Sequence, residues 1–220
     1  MIRVEKKIDF INARRKASEI LLLQDDKYLS FPIDIKKIVI PRKEIKIASY
    51  REYSSIVGEN VNNIRLDGKF DDAMVIPIKG IYLILYNDEI QNSGRILWNL
   101  AHELGHIVLE HKDQGPIEEA EAHTFASQLL LPQCLLKALF KGGKKITIPY
   151  LMKKFGLSEK ASISCLKSVK NKLENNYDAM YDDIILEKCD KFLKLELKTV
   201  NSLNKNYDEM DDKRNQWLYE

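Results

Sequence analysis

Little in this chain speaks for a membrane, an oxidising compartment or a polyanionic partner. No apolar run approaches the ~20 residues that a spanning helix requires. The N-terminus, Met1-Ile2-Arg3-Val4-Glu5-Lys6-Lys7, alternates charge with apolar residues where a secretory leader would carry an apolar core. Cysteine is sparse: Cys134, Cys165 and Cys189 are odd in number, widely spaced and without a CxxC pair. That argues against a disulfide framework or a zinc knuckle and reads as reduced, buried thiols of a cytoplasmic protein. A formal net charge of +2, from 35 basic and 33 acidic residues, is too small to imply nucleic acid or membrane by itself. Histidine is scarce as well, and its placement is the informative part. All 4 histidines of the 220 residues lie between positions 102 and 123.

Two of them form His102-Glu103-Leu104-Gly105-His106, an HExxH pattern. Residues four apart share one face of an α-helix, so both imidazoles can close on one metal ion. Glu103 is rotated about 100° from His102, so it borders the ion without having to bind it. From there it can take a proton from water whose pKa a metal lowers from about 15.7 to about 7. Apolar residues at 97, 100, 101, 104, 107 and 108 recur at helical spacing, with His102 and His106 on the other side beside Arg95 and Asn99. The histidines are therefore not filler on an apolar face. Gly105 costs a helix interior about 1 kcal/mol relative to alanine, which points to close approach by another backbone, here a substrate strand passing the metal.

A catalytic zinc site usually has three protein ligands and one open position. The metzincin pattern fails, because position 109 is Leu, position 112 is Lys, and His111 is one residue off. The remaining source is a second helix over 117–132, reached through the turn Asp113-Gln114-Gly115-Pro116. Its apolar stripe is Ala122, Phe125, Ala126, Leu129 and Leu130. Glu121 and His123 are about 200° apart and do not easily face one ion. Position leaves Glu121 and Glu118 as the best candidates for the third ligand.

At this point the sequence resembles the ImmA/IrrE family of metallo-endopeptidases. The resemblance rests on Leu100-Ala101-His102-Glu103-Leu104-Gly105-His106-Ile107-Val108-Leu109, then on Glu121-Ala122-His123-Thr124-Phe125-Ala126 and Leu129-Leu130-Leu131-Pro132. Family members typically carry LAHELGH, then EAN-x-FA ending in LLMP. The chain departs at His123, in place of asparagine, and at Leu131, in place of methionine. The resemblance implies Zn2+ as cofactor, His102, His106 and Glu121 as its ligands, and Glu103 as general base. It extends with weaker detail over about residues 12–172. It also implies a substrate class: a repressor with a helix-turn-helix domain, cleaved at a specific site, as by anti-repressor members from mobile elements. The alternative is a metal-binding regulator, or a repressor-binding protein, that does not cut.

Ahead of the motif, Ala13 to Gln24 reads as a helix, and a short helix is expected near Pro32. Glu44 to Tyr50 alternates as a strand. Ala73 to Ile78 and Ile81 to Tyr86 form a hairpin through Lys79-Gly80. The resulting class is α+β, a zincin-like core with a small sheet whose edge, within Asp72 to Tyr86, can take a peptide by strand addition. An oxyanion donor would come from Tyr82, Tyr86, Tyr150, Arg95 or His123, with nothing in the sequence to choose among them.

After the expected core at 1–132, a segment over 133–172 holds ten lysines against one acidic residue, Glu159. Pro149 and Ser158 start two helices around Phe155-Gly156-Leu157-Ser158, in a helix-turn-helix-like arrangement. DNA contact is the less favoured reading, since no arginine cluster or asparagine–glutamine reader set accompanies the lysines. The extension at 173–220 turns acidic, with one or two amphipathic helices, and is expected to fold against the basic segment.

Overall fold

The computed structural model describes residues 7–25, 27–60, 72–113, 115–172 and 180–200. The chain opens with α1 (Phe10–Leu22), capped by the Asp9 carboxylate, which accepts from the Asn12 N–H. The short helix expected near Pro32 is only a 3-10 turn, Ile35–Lys37, capped by Asp34. Strand β1 (Glu44–Ser49) runs into α2 (Tyr50–Val57), which the reading above did not foresee. Ser49 and Glu52 close that junction as a reciprocal capping box.

β2 (Ala73–Ile78) and β3 (Ile81–Tyr86) pair antiparallel, with Ile78 opposite Ile81. Their two-residue turn puts both Lys79 and Gly80 at positive φ, as a tight hairpin matched to strand twist demands. β1 pairs parallel with β3, so the sheet is mixed, in the order β1-β3-β2. β3 is central and β2 lies on one edge.

The helices follow. α3 (Ser93–Val108) is capped by Asn92 and carries the HExxH residues; α4 (Pro116–Leu130) begins with a proline at its first position. α5 (Gln133–Lys141), α6 (Ile148–Phe155) and α7 (Glu159–Lys172) come next. As expected, Pro149 sits in the first turn of α6, and Ser158 caps α7 by accepting from the Ala161 N–H. α8 (Asp182–Lys188) leads to α9 (190–200). The acidic stretch around Asp208 lies outside the described residues.

One apolar cluster joins α1, β3, α3, α4, α5, α6 and α8 through Leu21, Ile84, Leu104, Phe125, Leu135, Phe155 and Ile185. Each fully buried leucine or phenylalanine contributes about 1.5–3 kcal/mol of transfer free energy. Gly105 explains how α3 and α4 approach so closely. A Cβ there would meet the Ala122 backbone at 3.2 Å and the Phe125 ring at 3.1 Å. The backbone that passes Gly105 is therefore α4, not a substrate strand. All three cysteines are free and buried, as their spacing led us to expect. Among the described residues no helix is long and apolar enough to cross a membrane.

Candidate metal centre

The helical spacing of α3 delivers His102 and His106 to one face, both buried, with their Nε2 atoms 3.0 Å apart. A carboxylate of α4 faces both. It belongs to Glu119, whose Oε2 is 3.2 Å from His102 Nε2 and whose Oε1 is 3.4 Å from His106 Nε2. Among the described residues these three side chains form a cluster of metal-ligating groups within 4.8 Å of one another.

Glu121 points elsewhere. Its Oε2 lies 3.0 Å from His111 Nε2, and its Oε1 accepts from the Asp9 N–H at 2.7 Å. Two residues turn a helix by about 200°, so Glu119 and Glu121 cannot share a face. Because Ala122 must press on Gly105, the side of α4 turned toward the imidazoles carries Glu119 and His123, four apart. Glu121 falls on the side turned toward α1 and His111. Glu119 was not among the two best candidates drawn from the sequence, Glu121 and Glu118. The signal that could have found it is the pairing of Gly105 with Ala122, the small residues through which two close helices meet. Glu119 also sits in the first turn of α4, where the helix dipole favours a negative charge.

The electrostatics suit a cation. Burial first, then the imidazoles of His123, His106 and His111, push His102 down from 6.5 to about 3. His106 is lowered too, by burial above all, against the opposing pull of Glu119. Both are therefore neutral near pH 7, the form that binds metal. Two buried neutral imidazoles and a carboxylate converging on one point form a nitrogen–oxygen donor set of the kind zinc takes. Glu103, next to His102 on α3, is half-buried.

His111 reaches the site because α3 ends in an unusual way. Glu110 adopts positive φ (57°), and the His111 N–H then donates to the His106 carbonyl at 3.1 Å. This closure folds His111 back over the last turn. Lys43 steadies it by donating to the Ile107 carbonyl at 2.9 Å and to the Glu110 carboxylate at 3.1 Å.

A cleft of about 810 Å³ opens beside the centre, lined by His123, Trp98, Asn99, Arg95, Asp72 and the start of α7, among others. The His123 ring lies 4.4 Å from that of His102, centroid to centroid. Arg95 is held by both oxygens of Asp72, and Asn99 donates to the same carboxylate. Of the five oxyanion candidates, only Arg95 and His123 line this cleft. Tyr86 accepts from Lys36, the Tyr82 ring lies under the Lys43 ammonium, and Tyr150 neighbours Glu196 far along the chain.

A helix pair presenting His, His and Glu to one point, with a glutamate beside the first histidine, defines the metallopeptidase type of constellation. The comparison with known families agrees: residues 56–163 match the family described as Peptidase_M78, the IrrE N-terminal-like domain. The resemblance to the ImmA/IrrE family is thereby supported over a stretch narrower than 12–172, running from the end of α2 into α7. No curated protein matches the chain.

Proposed function

We propose that the protein is a zinc-dependent endopeptidase in which His102, His106 and Glu119 hold the ion and Glu103 acts as general base. The observation that carries this reading is the convergence of the Glu119 carboxylate on two Nε2 atoms 3.0 Å apart. The resemblance implied Glu121 in that third place; the distances favour Glu119. When bound, the ion supplies Lewis acidity, polarising a peptide carbonyl and making water acidic near neutral pH. The chain's own residues do the rest. Glu103 takes the proton released as water attacks the carbonyl carbon, then returns it to the departing amine, so that one peptide bond breaks and two new termini form. His123 and Arg95 face the cleft from which a substrate carbonyl would arrive.

The substrate is a protein, and on the resemblance a helix-turn-helix repressor cleaved at a specific site. Strand addition has a place to occur: among the described residues β2 has no partner on its outer edge, and Asp72, just before it, lines the cleft. A cytoplasmic setting and a zincin-like core follow from the same reading. The test compares new protein N-termini in cells expressing wild type or Glu103→Gln. Fragments present only with wild type support a selective protease and name its substrate. Identical N-termini in both, under resting and stressed conditions, favour the metal-binding regulator that does not cut.

A further inference from the structure

His111, Glu121 and the Asp9 backbone amide form a chain of contacts behind His106 that the proposed reaction does not use. His106 has Nε2 toward Glu119 and Nδ1 2.9 Å from His111 Nδ1. His111 Nε2 lies 3.0 Å from Glu121 Oε2, and Glu121 Oε1 accepts from the Asp9 N–H. The two side chains in the middle are well enclosed, 5% exposed for His111 and 11% for Glu121.

The direction of the hydrogen bonds follows from what each atom can do. An ionised carboxylate only accepts, so His111 Nε2 carries the proton shared with Glu121. In a neutral His111 the other nitrogen, Nδ1, is then bare and must accept. His106 Nδ1 is its partner and must therefore donate. A neutral imidazole has one N–H, so the donation leaves His106 Nε2 as a lone pair aimed at His102 and Glu119. The fixed end of the chain, a backbone N–H at the cap of α1, cannot reverse its polarity. His102 has no such support, for its Nδ1 is buried with no hydrogen-bond partner among the described residues.

We infer that His111 and Glu121 are positioning residues that set the tautomer and ring orientation of His106, and that Glu121 serves the metal through His111 rather than by touching it. This rests on the proposed metal site. Partners of this kind behind a metal-ligating histidine typically change metal affinity by about 10- to 100-fold.

The experiment measures zinc affinity and stoichiometry of the full chain by competition with a chromophoric chelator, with circular dichroism on each variant. Wild type is expected to bind one zinc. Glu119→Gln removes a ligand and should show the largest loss. His111→Ala and Glu121→Gln should keep one zinc per chain at about 10- to 100-fold weaker affinity. His111→Gln should recover part of the loss, because an amide offers an acceptor toward His106 and a donor toward Glu121. A merely structural histidine would give no such rescue, and this variant also serves if His111→Ala fails to fold. Wild-type affinity in His111→Ala and Glu121→Gln overturns the inference and leaves the metal site standing. A loss in Glu121→Gln equal to that in Glu119→Gln, with His111→Ala silent, also overturns it by making Glu121 a ligand. Absence of zinc binding in wild type overturns the metal site itself.

Discussion

Glu196 and His106 are both buried, at 2% and 9% exposure, yet the protein treats the two in opposite ways. Around Glu196, on α9, every demand is met from within: Lys144 reaches one oxygen at 2.7 Å and Lys154 the other at 2.6 Å. Burial raises the carboxyl, and the two lysine hydrogen bonds outweigh it, so the group is held below its ordinary value of 4.5. Around His106 only the rear nitrogen is met in this way, by His111 at 2.9 Å, while Nε2 faces other ligand-type atoms. Ligand atoms of His102, His106 and Glu119 converge instead, all within 4.8 Å of one another. A buried charge paired by its own chain reads as structure, and buried nitrogen and oxygen ligand atoms converging on one point read as a site. The contrast also explains two of the ten lysines in 133–172, which are spent on holding α9 and not on a polyanion.

The comparison can be broken at several points, the largest first. With zinc at about 1000 times its Kd, the ion should stabilise the folded chain by about 4 kcal/mol. Thermal melts with zinc or with excess chelator should differ accordingly, and no difference would remove the ion from the folded state. Next, Glu103→Gln should lower cleavage of the identified substrate by at least about 100-fold, the lower range for a general base, with zinc stoichiometry unchanged. Wild-type turnover in that variant would end the mechanism. Glu196→Ala strands two lysines, and a urea titration should show a loss of about 2 kcal/mol. That is below the usual cost of breaking a buried pair because the Lys154 side chain is 35% exposed. Zinc affinity should not move, and if it does, α9 and the metal centre are coupled.

The smallest effect separates the two regions by pH. A histidine with a depressed folded pKa charges more readily when unfolded, so the metal-free chain loses stability as pH falls below about 6.5, through the range down to about 3 set by His102. Glu196, also depressed but a carboxylate, adds stability that is present above 4.5 and disappears as pH falls through its lower folded value. Acid titration of metal-free wild type should show both phases, and Glu196→Ala should lose only the second. A single phase shared by both proteins would contradict the assignment.

Much of this is legible in the amino-acid sequence. The hairpin at Lys79-Gly80, the helix carrying His102 and His106, and the helix starts marked by Pro149 and Ser158 all follow from local chemistry, where one or two residue types fix one backbone geometry. What escaped the sequence was set by tertiary contact. β1 pairs parallel with β3 across 37 positions, from Glu44 to Ile81, so the mixed order of the sheet has no local signature. α2 is the exception, since Ser49-Tyr50-Arg51-Glu52 is a local capping-box signature that the reading passed over because it directly follows a strand. Glu119 became the carboxylate facing the imidazoles only because Gly105 and Ala122 fix the rotation of α4. A helical wheel gives relative angles, and the absolute rotation belongs to the packing partner.

The bond from the Asp9 N–H to Glu121 spans 112 positions and begins outside the stretch that matches the peptidase family. Through Glu121 and His111 it offers a reporter of the proposed metal site near the start of the chain. Hydrogen exchange at this one amide would slow as the ion is taken up, and its resonance would report, without any substrate, how many molecules in a preparation are loaded.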